Sequence, residues 1–216
     1  GFVVLSEGTN CYKELKFLKL TNGYVGPTQT AVKNDIGADI WVQISYDGEW
    51  IAFCRYIGRP SKKYGTCEYP KLDSTDIYVA KIDNGKNLPA KAIRVDHGYW
   101  PSWAMDENAK DTSKPKLLSY SRYSDQSIRK AIINPNGTIV IKDIKHSESP
   151  QKTSGSRVHL QGSPDGRYLA YRPSRVINVY DNEQKKNVPG AGGAGYYPCW
   201  GPRSKYLIWT KNRVCR

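Results

Sequence analysis

Long hydrophobic runs are missing from this 216-residue chain. No stretch approaches the ~18–20 apolar residues that a helical membrane span needs, so that class is excluded. Methionine (one) and phenylalanine (three) are scarce beside 16 Tyr and 6 Trp. That balance argues against long helices and for strands, where β-branched and aromatic side chains pack well. Only three histidines occur, and no Cys or His spacing matches a zinc site. There is no G-x-S-x-G elbow for a serine nucleophile. Acidic residues are few and unclustered, so paired carboxylates for glycoside hydrolysis have no local support. The glycine-rich run Gly190-Ala191-Gly192-Gly193-Ala194-Gly195 lacks the strand-to-helix setting and Lys-Ser/Thr pair of a phosphate loop, and reads as a flexible loop. An initiator Met is also absent; a removed targeting segment and a longer parent chain both fit that start.

What is present is basic and polar: 33 Lys plus Arg against 20 Asp plus Glu, a net charge of +13. The cations are spread through expected loops rather than blocked, which favours anionic partners through long-range attraction. No nucleic-acid-binding motif accompanies them. Of five cysteines, Cys54 and Cys67 flank a Gly/Pro/Lys-rich stretch that a disulfide would close. Two separately buried thiols are the alternative. An odd total leaves at least one thiol free or paired outside the chain, and the pattern leans towards an oxidising compartment, extracellular or periplasmic.

Internal repetition decides the expected fold. Ile44-Ser45-Tyr46-Asp47-Gly48-Glu49-Trp50-Ile51-Ala52-Phe53 superposes on Gly162-Ser163-Pro164-Asp165-Gly166-Arg167-Tyr168-Leu169-Ala170-Tyr171, and both on Trp200 to Trp209. Each is a strand, a tight turn and a second strand; Asp-Gly suits the turn because glycine accepts positive φ. A fourth copy begins at Trp103-Ala104 and resumes at Lys116 after a stretched turn. Gly98-Tyr99-Trp100-Pro101-Ser102-Trp103 matches Gly195-Tyr196-Tyr197-Pro198-Cys199-Trp200. Outer strands follow at Asp76 to Asp83, Ile128 to Asn134, Val176 to Asp181 and Glu14 to Leu20. Each unit therefore reads as four short antiparallel strands. One such sheet cannot cover both its faces, and radial stacking of several, the β-propeller, solves that.

These hairpins carry a resemblance. Ser163-Pro164-Asp165-Gly166-Arg167-Tyr168-Leu169-Ala170-Tyr171, with Asp76-Ile77-Tyr78-Val79 and the Pro-x-Trp runs at Pro101 and Pro198, resembles the repeats of TolB-type, WD-repeat-like propellers. The resemblance implies an all-β chain built of four-stranded antiparallel blades, and it specifies architecture rather than activity. Five blades are touched, at about 1–40, 41–100, 101–157, 158–197 and 198–216 of a single domain, or of part of a larger propeller. Phe2 to Ser6 and Tyr206 to Thr210 are equivalent second strands and cannot fill one place in a closed ring. The gap is expected to be covered by further chain or by a partner, because an open strand edge invites pairing. Cys11 and Cys215 lie near that break, and Cys215 is expected to be tied there by a disulfide.

Candidate binding residues are Tyr99, Trp100, Tyr196 and Tyr197, at equivalent places in two blades, with His97 just before the Gly98-Tyr99-Trp100-Pro101 turn and His159 on the aromatic-led strand before Ser163, both expected to face inward. Exposed rings there would stack on sugars or a partner's side chains; buried ones would plug the gaps between blades. Paired inward histidines resemble those of oligogalacturonate lyases, but no third metal ligand accompanies His97 and His159. No catalytic residue, metal or cofactor is assigned. The leading expectation is a non-catalytic, secreted propeller that binds another protein or an acidic polysaccharide. An enzyme acting on acidic polysaccharide and a structural subunit of a larger assembly are the alternatives.

Overall fold

Period-2 alternation of apolar and polar residues becomes seventeen strands, the regular elements of the described chain. A computed structural model describes residues 2–8, 13–21, 24–32, 39–56, 74–82, 92–104, 110–122, 127–142, 159–163, 165–172, 175–201 and 204–210. The chain falls into two compact units, Gly1–Pro101 and Ser102–Arg216. Among the described residues there is no helix long and apolar enough to cross a membrane.

The first unit holds a three-stranded sheet of β1 (Phe2–Gly8), β2 (Lys13–Thr21) and β3 (Tyr24–Val32). It also holds a four-stranded sheet of β4 (Asp39–Ile44), β5 (Trp50–Tyr56), β6 (Thr75–Lys81) and β7 (Ile93–His97), in that order. Its core is Leu15, Ile51, Phe53, Ala80 and Ile82, with Val42, Ile44 and Tyr78 packed against it. Ile51, Phe53, Tyr78 and Ala80 come from β5 and β6, which are buried along most of their length; Leu15 comes from β2, Val42 and Ile44 from β4, and Ile82 follows β6.

The division of the chain falls inside β8 (Tyr99–Trp103), the first strand of a sheet completed by β9 (Lys116–Ser121), β10 (Ile128–Ile133) and β11 (Ile139–Lys142). A third four-stranded sheet runs β12 (Gln161–Gly162), β13 (Tyr168–Tyr171), β14 (Val176–Asp181) and β15 (Lys186–Ala194). β16 (Tyr196–Trp200) and β17 (Leu207–Thr210) form a two-stranded sheet. All recorded strand pairs are antiparallel and follow chain order. This is the propeller-like, all-β architecture that the repeats imply.

The hairpin repeat has one physical basis. In both Asp-Gly copies the serine hydroxyl donates to the aspartate carboxylate and accepts from the first amide of the next strand. Trp50 N donates to Ser45 Oγ at 2.9 Å and Tyr168 N to Ser163 Oγ at 2.8 Å. The aspartates accept from Glu49 N and Arg167 N, each at 3.1 Å. Gly48 and Gly166 sit at φ 76° and 73°, conformations that disfavour a Cβ. The variant copy keeps this shape with Ser204 at φ 56° in the place of the glycine.

Two expectations are corrected. The glycine run from Gly190 forms most of edge strand β15 rather than a flexible loop. A Cβ on Gly192 would stand 2.1 Å from Ile177 O, and one on Gly195 would stand 2.1 Å from the Trp209 ring. Glycine is used here for close approach, and Trp209 Nε1 donates to Ala194 O at 3.2 Å across the same surface. Cys54, expected to be able to close a loop with Cys67, is a free thiol in the middle of the core strand β5. Burial pushes its pKa far above the ordinary thiol range. Cys67, Cys11 and Cys215 lie outside the described residues.

Candidate functional site

Four hairpins share one closing bond, which aligns their inner strands. Ser45 N donates to Trp50 O, Ala104 N to Leu117 O, Ser163 N to Tyr168 O and Gly201 N to Tyr206 O, at 2.8–2.9 Å. Four residues before each donor stand Trp41, Trp100, His159 and Tyr197. Three of them adopt the left-handed conformation: Trp41 at φ 54°, Trp100 at 52° and Tyr197 at 52°. For a bulky side chain this backbone costs about 1–2 kcal/mol. Pro101 and Pro198 add to the strain, since a following proline pushes its predecessor towards extended backbone. Trp41 and Tyr197 fall within β-bulges, between Ile40 and Gln43 and between Tyr196 and Cys199. A bulge re-aims a side chain out of the pleat. Repeated strain at one strand position is the kind of outlier that marks a working site.

In the first unit Trp41 and Trp100 lie 5.1 Å apart between ring centroids, and Tyr99 meets Trp100 edge-on at 5.3 Å. Tyr99 and Trp100 are 1 % and 8 % exposed, so these two candidates serve packing. Beside them a row of cross-strand neighbours, Asp39, Arg55, Asp76 and His97, crosses the whole sheet from β4 to β7. Arg55 donates Nε and Nη2 to the two oxygens of buried Asp39 at 2.8 and 2.9 Å. Its guanidinium also lies over the Phe53 and Tyr78 rings. Asp76 takes Arg94 Nε at 2.5 Å and lies 3.0 Å from His97 Nδ1. Burial by itself raises the Asp76 carboxyl, but the bonds from Arg94 and His97 outweigh it and hold the group below the usual carboxylate range. His97 is thus oriented by a carboxylate, with its ring half-buried.

In the second unit His159 meets Tyr197 edge-on at 4.5 Å, and Tyr196 lies 6.3 Å from Tyr197. Buried Arg172 lies against the Tyr196 ring, with its guanidinium carbon 4.2 Å from the ring centre. Tyr197 is 48 % exposed. An accessible ring, an imidazole at its edge and a buried cation against its neighbour make a platform that can stack a flat apolar face and attract negative charge.

The structure therefore brings His159, Tyr196 and Tyr197 together, and separately brings Tyr99 and Trp100 together. His97 belongs to the charged row. Among the described residues there is no group of three or more His, Cys, Asp or Glu side chains placed to hold a metal ion. Sequence reading missed Trp41, Arg172 and the Asp39–Arg55–Asp76 row. Counting four residues back from each hairpin donor would have found Trp41. Arg172 carries no such signal, because its equivalents are Cys54 and Ser121.

No protein-family model matches the chain, and no curated protein sequence matches it. Solved structures do. A Kuenenia stuttgartiensis hydrazine synthase aligns with TM-score 0.56 and 11 % identity over 97 % of this chain and 68 % of that one. A functionally unknown protein from Desulfotomaculum acetoxidans aligns with TM-score 0.56 and 13 % identity, over 96 % of this chain and 59 % of that one. A Synechocystis ACO mutant aligns with TM-score 0.54 and 11 % identity, over 96 % and 50 %. The chain thus spans between half and about two thirds of these proteins. At such identities the likeness is one of fold, and the fold is of propeller type.

Proposed function

We propose that this protein is a non-catalytic propeller that binds an anionic polysaccharide, of the cell envelope or extracellular space, on the Tyr197 platform. The observation that carries the reading is the strained, half-exposed Tyr197 ring held against His159 and Tyr196, with Arg172 against the Tyr196 ring. Glycine at position 197 would accept the same backbone without strain; an aromatic kept there implies a task for the ring. Sugar rings present flat C–H faces that stack on an aromatic. The +13 net charge adds a long-range attraction for carboxylate- or sulfate-bearing chains. Part of this reading is a location outside the cytoplasm, where such polymers occur, and cell fractionation tests that part directly.

The binding test is calorimetric titration with a polyuronate and with a neutral glucan of matched length, at low and high salt. Tighter binding of the polyuronate, weakening as salt screens the charges and lost in Tyr197→Ala, supports the reading. Equal affinity for the neutral chain, or unaltered binding by the variant, overturns it. Shortening of the polyuronate during the titration would favour the second reading, an enzyme. The observation on that side is the Asp76-oriented His97, and loss of cleavage in His97→Gln would identify it.

A further inference from the structure

Gly98 and Gly195 hold the same place in their repeats and close the same bond. Gly98 N donates to Thr75 O and Gly195 N to Arg175 O, each at 3.0 Å. Strand register agrees, pairing Asp76 with His97 and Val176 with Ala194. Arg175 and Val176 therefore stand where the first unit has Thr75 and Asp76. The backbone is alike and the side chains are not. Thr75 is enclosed, and its hydroxyl donates to Gly98 O at 2.8 Å. Asp76 is 4 % exposed and bonds both Arg94 and His97. Their counterparts are open: Arg175 is exposed, and Val176 is 44 % exposed. The carboxylate that neutralises cations in the first unit is thus replaced by an apolar residue in the second.

Arg175 is also uncommitted. Arg55 and Arg94 hold Asp39 and Asp76, Arg129 holds Ser127, Arg167 holds Asp181, and Arg172 lies against the Tyr196 ring. The Arg175 guanidinium has no ion pair, hydrogen bond or ring contact among the described residues. Two backbone steps, at most about 7 Å, separate Gly195 from Tyr197. That is within reach of an arginine side chain whose own carbonyl is bonded at Gly195. We infer that Arg175 is the specificity residue of the Tyr197 platform: its guanidinium takes the carboxylate of the sugar next to the one stacked on the ring. A planar carboxylate matches the planar guanidinium fork in two parallel bonds. A neutral hydroxyl cannot reproduce that match, and Arg172, which is 5 % exposed, is too enclosed to supply it. The inference rests on the polysaccharide reading and adds a requirement to it: the polymer carries charge on the residue adjoining the stacked one.

The test is calorimetric titration of the full chain with a polyuronate, and with the same polymer after its carboxyl groups are reduced to alcohols. Arg175→Gln is expected to weaken polyuronate binding by about threefold to tenfold, the size of one exposed bidentate pair. It is expected to leave binding of the reduced polymer where it was. Arg175→Lys, which keeps the charge without the fork, is expected to fall between Arg175→Gln and the parent. Lys186→Gln removes an equal charge from an exposed site on the same sheet and is expected to bind like the parent. The Gly195 bond uses only the backbone of Arg175, so Arg175→Gln is expected to match the parent in urea denaturation. Parent-like binding by Arg175→Gln, with binding lost in Tyr197→Ala, overturns this inference and leaves the platform standing. So does an equal loss in Lys186→Gln, which makes net charge the cause. A parent that binds no polyuronate overturns the platform reading itself and this inference with it.

Discussion

Position 197 offers a reversal of an ordinary rule. In a strand, alanine is normally more stabilising than glycine by about 0.5–1 kcal/mol, because glycine loses more backbone freedom on folding. Tyr197 sits at φ 52°, where any residue with a Cβ carries about 1–2 kcal/mol of strain. Tyr197→Ala keeps the strain and discards the ring. Tyr197→Gly discards both. Subtracting the entropic disadvantage of glycine from the strain it removes leaves the glycine variant more stable than the alanine variant by about 0.5–1 kcal/mol. In a chain of this size that corresponds to a melting difference of about 1–4 °C. Trp100 supplies the contrast, with the same backbone at φ 52° but a buried ring. Removing a buried Trp costs about 3–5 kcal/mol, which relief of strain cannot offset, so Trp100→Gly is expected to be strongly destabilising. Urea denaturation of the two position-197 variants and Trp100→Gly, beside the parent, measures all of these. An alanine variant at 197 as stable as the glycine variant, or more so, refutes the strain argument and with it the reason for singling out this ring.

Asp39→Ala leaves Arg55 beneath the sheet end without its bidentate partner, and urea denaturation is expected to show a loss of about 3–5 kcal/mol; near-neutral behaviour would show that Arg55 swings to solvent. Ser45→Ala and Ser163→Ala each remove a hydroxyl that accepts a strand amide and donates to a turn carboxylate. Each is expected to cost about 1–2 kcal/mol, and the two losses should agree within about 0.5 kcal/mol because the geometries match. Asp76 has a lowered pKa in the folded chain, so its contribution is fully present above the unfolded carboxylate value of about 3.9 and is lost as pH falls through the lower folded value. Stability measured from pH 6 down to pH 2 is therefore expected to fall less steeply at the acid end in Asp76→Asn than in the parent; parallel curves would remove Asp76 from the acid transition.

The repeat was legible because it is local. Ser45 and Ser163, Asp47 and Asp165, Gly48 and Gly166 satisfy the same short-range bonds wherever they occur, so their spacing announces each hairpin. Alternation in Asp76 to Lys81 and Val176 to Asp181 announces β6 and β14 for the same reason. The Gly190 run misled because glycine signals both mobility and close approach. Only the positions of Ile177 and Trp209 distinguish the two. Cys54 misled because spacing in the chain says nothing of depth in a core strand.

From sequence alone, then, came the all-β class, the four-strand unit, its hairpins and the rings at Tyr196 and Tyr197, since all of these follow from side-chain period and turn stereochemistry. Tertiary structure alone decided which rings are covered, which are strained, and which charges meet. Trp100 and Tyr197 occupy the same place in their repeats, yet one is enclosed and the other open. Asp39, Arg55, Asp76 and His97 are scattered over 59 residues and become neighbours when strand register aligns them. Burial and cross-strand pairing depend on what packs from elsewhere, and no local pattern encodes that.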